Sequence, residues 1–274
     1  MWRGRLDKRR SGAAGQRGRA LASEINAPAG DRSRRVADES SGGSLPRRPA
    51  APLPRLIDLS HTIEHGMTTY PGLPGPLICD YLSREASRSR YAPGVEFQIG
   101  KIEMVANTST YLDSPFHRYA QGKDLAGVPL ESLADLDAVV VRVPAGAGRP
   151  IDRSAFEEVE VRGKAVLVQT GWDAHWRTER YLLGHPFLTG GAAEYLVSRG
   201  VVLVGIDSLN IDDTEDLARP VHSTLLGADV PIVEHMCNLA SLPQQDFRFF
   251  AVPAKVVGFG TWPVRAFGHV LPSD

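Results

Sequence analysis

Asn107-Thr108-Ser109-Thr110-Tyr111-Leu112-Asp113-Ser114-Pro115-Phe116-His117 is the most informative stretch of this chain. Asp113 and His117 are separated by Pro115. A proline removes a backbone donor and crowds the preceding turn, which argues against a regular helix across them. The stretch leads into Gly122 and reads as a loop at the end of a strand. It sets a carboxylate and an imidazole beside residues suited to burial. A carboxylate in such surroundings needs a partner, and a metal ion or the imidazole would serve.

Before this stretch, Val95-Glu96-Phe97-Gln98-Ile99 and Ile102-Glu103-Met104-Val105 flank Gly100-Lys101. Their apolar–polar alternation predicts a β-hairpin. Further upstream, Leu56-Ile57-Asp58-Leu59-Ser60 reads as a half-buried strand. Tyr70-Pro71-Gly72-Leu73-Pro74-Gly75 reads as a turn-rich loop. Downstream, strands are expected at 138–143, 165–169, 201–206 and 247–253, the third apolar enough to be buried on both faces. Helical spacing covers 154–159 and 191–198, with Gly200 where a helix C-cap belongs. No internal repeat is present, so residues 55–270 read as one mixed α/β domain.

Composition narrows the function classes. Residues 1–50 hold 12 Arg or Lys against 5 Asp or Glu, leaving 19 basic and 27 acidic residues in the rest of the chain. A basic, disordered Gly/Ser/Ala/Pro-rich extension is therefore expected ahead of an acidic globular body. Arg9-Arg10 lacks the apolar segment an export signal needs. Aromatic residues for base stacking are missing from the extension beyond Trp2, so no nucleic-acid partner is expected. No apolar run reaches the ~18–20 residues that span a bilayer. Two distant cysteines, Cys79 and Cys237, form no disulfide framework, and a cytoplasmic setting is expected.

A second segment carries chemistry. Pro220-Val221-His222-Ser223-Thr224-Leu225-Leu226 is followed by the apolar run Val230-Pro231-Ile232-Val233, which ends in Glu234. A histidine and a glutamate bracketing a short helix and strand can converge on one cation. Imidazole with hard carboxylates suits zinc, manganese or iron(II).

Asp113-x-Pro115-x-His117 resembles the second half of the motif His-x-Gly-Thr-His-x-Asp-x-Pro-x-His of the kynurenine formamidase and putative cyclase family of metal-dependent hydrolases. Ile57-Asp58-Leu59-Ser60 with Tyr70-Pro71-Gly72 is similar to that family's opening. Thr170-Gly171-Trp172, Gly205-Ile206-Asp207, Pro220-Val221-His222, Glu234 with Asn238-Leu239, and Pro263-Val264-Arg265-Ala266 follow in the family's order, so the resemblance spans about 55–270. It implies the swivelling β/β/α fold, a mixed sheet or partial barrel flanked by helices. It also implies a homodimer or larger assembly with sites near subunit boundaries.

Carried over residue by residue, Asp113, His222 and Glu234 match metal ligands and His117 matches the acid–base histidine. Two ligand positions depart from the pattern: Asn107 and Tyr111 stand where the family has histidines, and Ser109 replaces the motif glycine. An amide oxygen is a weak ligand and a neutral phenol must first lose a proton. One divalent cation, zinc or manganese, is therefore expected rather than two, with a metal-free site as the alternative.

The implied activity is hydrolysis of a non-peptide C–N bond in a small aromatic substrate, near arylformamidase in tryptophan breakdown. In that reading Tyr111 donates to the developing oxyanion, Asn107 contacts substrate, and Trp172 and Trp176 offer flat faces to an aromatic ring. Asp207 is expected to pair with Arg265 or to support the ligands from behind. His61, His65, His175, His185, His235 and His269 read as surface or structural residues, and Asp212-Asp213 lacks the spacing of a calcium loop. Two rival functions remain: a cyclase or dehydratase acting on a polyketide-like intermediate, and a non-catalytic binder of small aromatic ligands.

Overall fold

Thirteen strands and three helices make up the computed structural model, which describes residues 55–144 and 146–271. The strands are β1 (Arg55–Asp58), β2 (Leu77–Leu82), β3 (Ile99–Glu103), β4 (Tyr111–Asp113), β5 (Leu136–Arg142), β6 (Pro150–Ile151) and β7 (Ala165–Gln169). They continue with β8 (Phe187–Leu188), β9 (Leu203–Ile206), β10 (Ile232–Glu234), β11 (Phe247–Phe250), β12 (Thr261–Pro263) and β13 (Phe267–Val270). The helices are α1 (Arg84–Ser87), α2 (Gly190–Ser198) and α3 (Pro220–Gly227). The expectation of a disordered extension over 1–50 lies outside the described residues.

Nine strands form one mixed sheet in the order β1-β13-β11-β5-β7-β9-β10-β4-β12, curled into a half-barrel. Its middle, β5-β7-β9-β10, is parallel; β4 adds antiparallel to β10, and β12 antiparallel to β4. The mixed α/β class and the partial barrel expected from the resemblance are both present.

Alternation along the strands divides the core between the two faces of the sheet. Val140, Leu167, Leu203, Leu112 and Val233 pack on one face with Phe247 and Phe249. Their neighbours Val139, Val141, Val166, Val168, Val204 and Ile232 turn to the other face, under α2 and α3. Because Leu112 and Val233 belong to the first layer, Tyr111, Asp113 and Glu234 emerge on the helix-bearing face. Thr189 caps α2 by accepting from the Ala192 N–H, and Gly200 turns the chain beyond its end at φ 76°.

Three local expectations are corrected. Gly100-Lys101 is not a hairpin turn but lies inside β3, whose antiparallel partner is β2, upstream. Residues 154–159 carry no α-helix: only a 3-10 turn forms at Arg153–Ala155, and apolar Phe156 and Val161 are buried from irregular backbone. The motif around Asp113 is a strand in the sheet, where a loop was expected, and a 3-10 turn at Pro115–His117 follows it.

Two glycines permit that turn. A Cβ on Gly122 would lie 2.6 Å from the Pro115 carbonyl carbon, and one on Gly260 would lie 2.5 Å from His117 Cα. The Gly260 carbonyl accepts from the Ser114 N–H at 2.7 Å, joining the turn to the residue before β12.

Candidate active site

Sheet register brings the site together around β4. On one side Glu234 lies directly opposite Tyr111, and on the other Thr261 lies directly opposite Asp113. Directly opposed residues are near enough for their side chains to bond. Thr261 donates to Asp113 Oδ1 and lies 2.8 Å from His117 Nδ1. A hydroxyl has one proton, and the carboxylate can only accept, so His117 Nδ1–H must be the donor to Thr261. That tautomer leaves Nε2 with the free lone pair.

His222 arrives from the first turn of α3. Asp212 holds that turn: it accepts from the Val221 N–H at 2.7 Å, the His222 N–H at 3.0 Å and His222 Nδ1 at 2.6 Å. One carboxylate thus caps the helix and orients the ring, as carboxylates behind metal-binding histidines do. His222 Nε2 then stands 3.7 Å from Asp113 Oδ2 and 3.6 Å from Glu234 Oε1.

Glu234 is fixed by protein donors. Its Oε1 accepts from the Ile211 N–H at 2.7 Å, and its Oε2 accepts from Tyr111 Oη at 2.6 Å. Tyr70 Oη, 3.0 Å from Tyr111 Oη, donates to the Leu209 carbonyl and accepts from Asn210 Nδ2.

Buried charge sets the electrostatics. Burial alone would raise the Asp113 carboxyl, but the neighbouring His117 and His222 imidazoles and the bond from Thr261 hold it below the usual range. Burial raises Glu234, and the neighbouring Asp113 charge adds to that against the pull of His222. Burial would lower His222, yet the nearby Asp113, its bond to Asp212 and the nearby Glu234 push it up to about 10. Burial, reinforced by Glu234, raises Tyr111 and Tyr70 well above the ordinary phenol value, so both stay neutral.

These residues fit a divalent cation. Asp113 Oδ2 is buried and has no hydrogen-bond partner among the described residues, a costly state for a carboxylate oxygen. It faces a histidine nitrogen whose opposite edge is already committed. Donors bonded to zinc at about 2.0–2.2 Å in a tetrahedron stand roughly 3.3–3.6 Å apart, near the separations found here. Asp113, His117 and His222 also offer ligating atoms within 4.8 Å of one another. Glu234 lies outside that group: its Oε1 is 3.6 Å from His222 Nε2, and its two oxygens already accept from Ile211 and Tyr111, whereas His117 has only Nδ1 engaged, by Thr261.

The site opens into a cavity of about 260 Å³ lined by Tyr70, Leu73, Asn107, Tyr111, His117, Arg118, Asn210, Arg219, His222 and Glu234. The expected residues Asn107, Tyr111, His117, His222 and Glu234 therefore meet in one place, with Asp113 beneath them. Other expectations are redirected. The Tyr111 hydroxyl is donated to Glu234, where the sequence suggests an oxyanion donor. Trp172 and Trp176 do not line this cavity: Trp172 Nε1 donates to the Tyr181 carbonyl, and Trp176 stacks on His61 at 4.0 Å. Asp207 does not meet Arg265; it accepts from Thr170 and Gly171, while Arg265 pairs with Asp58. Sequence reading missed Thr261 and Asp212 as site residues, and took Tyr70 only as part of a turn.

A model of the family described as Putative cyclase matches residues 57–213. Among curated relatives, kynurenine formamidase of Bacillus cytotoxicus is 27% identical over 219 residues, covering 77% of this chain and 95% of the relative. Kynurenine formamidase of Erythrobacter litoralis is 25% identical over 222 residues, covering 80% and 95%. Isatin hydrolase A from Labrenzia aggregata, solved with benzyl benzoate, superposes with TM-score 0.68 at 20% identity over 80% of this chain and 94% of that one. A structure described as a potential metal-dependent hydrolase with cyclase activity gives TM-score 0.66 at 23% identity over 81% and 100%. The structural likenesses bear on the fold.

Proposed function

This chain belongs to the cyclase family, and from that premise we propose that it hydrolyses a carbon–nitrogen bond other than a peptide bond in a small aromatic formamide or cyclic amide. The observation that carries the reading is the position of His222 Nε2, 3.7 Å from Asp113 Oδ2 and 3.6 Å from Glu234 Oε1, in a cavity that His117 also lines. Relatives named kynurenine formamidase and a structural neighbour named isatin hydrolase support the amide class.

Asp113, His222 and Glu234 would hold one divalent cation, zinc or manganese by the chemistry of the donor set. A second would need nitrogen donors at positions 107 and 111, where an amide and a buried neutral phenol stand instead. When bound, the cation polarises an amide carbonyl and acidifies a neighbouring water.

The proton work falls to His117. Its Nε2 takes a proton from water as the water oxygen bonds to the carbonyl carbon. It returns that proton to nitrogen as the C–N bond breaks, leaving an acid and an amine. Thr261 holds the tautomer that this requires by accepting from Nδ1–H. Asn107, whose side-chain amide has no hydrogen-bond partner among the described residues, is available to the substrate. Tyr70 and Tyr111, rather than the two tryptophans, line the cavity with aromatic rings.

The family expectation of a homo-oligomer gains support from the β2–β3 ribbon, where Leu77, Ile78, Tyr81, Ile99 and Ile102 are exposed together. Apolar surface of this kind marks a protein contact. An exposed free thiol at Cys79 fits a reducing compartment such as the cytoplasm. No helix among the described residues is long and apolar enough to cross a membrane.

Metal content, measured by elemental mass spectrometry on protein purified without chelators, combined with turnover of an aryl formamide and a cyclic amide, tests this function. One equivalent of metal is expected, with amine release abolished in His117→Ala while the metal is retained. Absence of metal after reconstitution, or full activity in His117→Ala, refutes the mechanism.

A further inference from the structure

Two guanidinium groups line the cavity that holds His117, His222 and Glu234: those of Arg118 and Arg219. They come from separate elements. Arg118 follows the 3-10 turn that ends at His117, and Arg219 is the residue before α3, three positions ahead of His222. Neither makes a salt bridge with a carboxylate among the described residues. Asp213, whose carbonyl Arg219 contacts, has its Oδ1 paired with Arg149 at 3.0 Å.

Each guanidinium is instead steered by one neutral acceptor. Arg118 Nε donates to Ser223 Oγ at 3.2 Å, and Arg219 Nη1 donates to the Asp213 carbonyl at 3.0 Å. That leaves both Nη groups of Arg118, and Nε and Nη2 of Arg219, without protein acceptors among the described residues. A guanidinium presents its donors as a planar fork that matches a carboxylate.

The backbone at Arg219 adds a second observation. Its φ of 49° and ψ of 59° are left-handed, immediately before Pro220. A non-glycine residue in this region is strained, and a residue before proline is ordinarily pushed to extended backbone. Strain of this kind concentrates where a side chain must be aimed at a ligand.

We propose that Arg118 and Arg219 form an anion-recognition subsite, and that the preferred substrate is an amide carrying a carboxylate. The inference rests on the amide-hydrolase reading for the bond that is cut, but recognition of the anion can be measured without turnover.

Two fluorescent probes of nearly equal size, 2-aminobenzoate and 2-aminobenzamide, differ by one charge. Titrating each into the full-length, metal-loaded protein gives a binding preference for the anion. Wild type should prefer 2-aminobenzoate by about tenfold or more, the scale of a charge-assisted bond, and the preference should shrink at high salt. Arg118→Met and Arg219→Met should each reduce it by about tenfold, with part restored by Arg118→Lys and Arg219→Lys. Thermal melts identify any variant that fails to fold, and Arg118→Met does not disturb the strained backbone at 219.

Equal affinity of wild type for both probes overturns the proposal, as does equal weakening of both probes in the methionine variants. A preference that survives in the arginine variants but disappears in Asp113→Ala places the carboxylate on the cation, and also overturns it. Absence of amide turnover with the arginine-dependent preference intact supports the subsite and removes the hydrolase function alone.

Discussion

Replacing Thr261 by valine isolates the contact that couples His117 to Asp113. Valine keeps the shape of the residue but deletes the hydroxyl that donates to Asp113 and accepts from His117 Nδ1 at 2.8 Å. A hydrogen bond to a charged group contributes about 1.5–3 kcal/mol, and Asp113 is fully buried with no second donor to Oδ1 but a histidine nitrogen 3.7 Å away. A loss of about 2 kcal/mol is therefore expected. In a domain of 150–250 residues this corresponds to a fall in Tm of roughly 4–8 °C.

The catalytic effect has a separate signature. General acid–base groups contribute about 10²- to 10⁴-fold to rate. Releasing the imidazole from its tautomer should remove roughly ten- to a hundredfold of that from kcat. The assay is aryl amine release from a formanilide, run alongside thermal melts for Thr261→Val, His117→Ala and the double variant. If the hydroxyl acts through His117, Thr261→Val changes kcat little once His117 is alanine, while the loss of Tm persists because Asp113 still lacks its donor. Rate factors that multiply in the double variant, or a Thr261→Val protein matching wild type in kcat and Tm, refute the coupling.

Three further outcomes are expected. Asp212→Asn should weaken metal affinity by about 10- to 100-fold, measured by competition with a chelator; unchanged affinity would show that His222 needs no support from behind. Gly260→Ala forces a methyl group against the His117 backbone and should destabilise by about 1–3 kcal/mol while lowering activity, so a variant with wild-type Tm would contradict the close approach. Tyr81→Lys combined with Ile102→Lys should break the oligomer, read by light scattering after size exclusion, and an assembly of unchanged mass would remove the β2–β3 ribbon from the interface.

The parts of the fold that were legible in the sequence are those where one segment carries its own pattern. Ala165–Gln169 forms the strand expected there, and the helix read over 191–198 forms with Gly200 turning the chain beyond it. Val95–Val105 misled because alternation reports a strand but not its partner, and Gly100-Lys101 has the chemistry of a turn without being one. The same limit governs the site. Asp113, His117, His222 and Glu234 stand out by motif, whereas Thr261 is 148 residues from Asp113 and becomes its neighbour only through the register of β12 on β4. Asp212 reads as one of several acidic loop residues until α3 is seen to start on it. Trp172 and Trp176 are flat and aromatic, as a substrate platform would be, but their polar edge and ring face are spent on Tyr181 and His61.

The three-residue strand β4, held between β10 and β12, has a consequence for how the protein is made. Asp113 and His117 leave the ribosome early, His222 and Glu234 about a hundred residues later, and Thr261 later still. Until β12 arrives, β4 has an open edge and Asp113 lacks its only hydroxyl donor. Pairings this distant in sequence form late, because the loops between them must close first. In the proposed mechanism cation capture is therefore a late event in the protein's synthesis, and a nascent chain stalled before Gly260 would display a half-built site on an unfinished sheet.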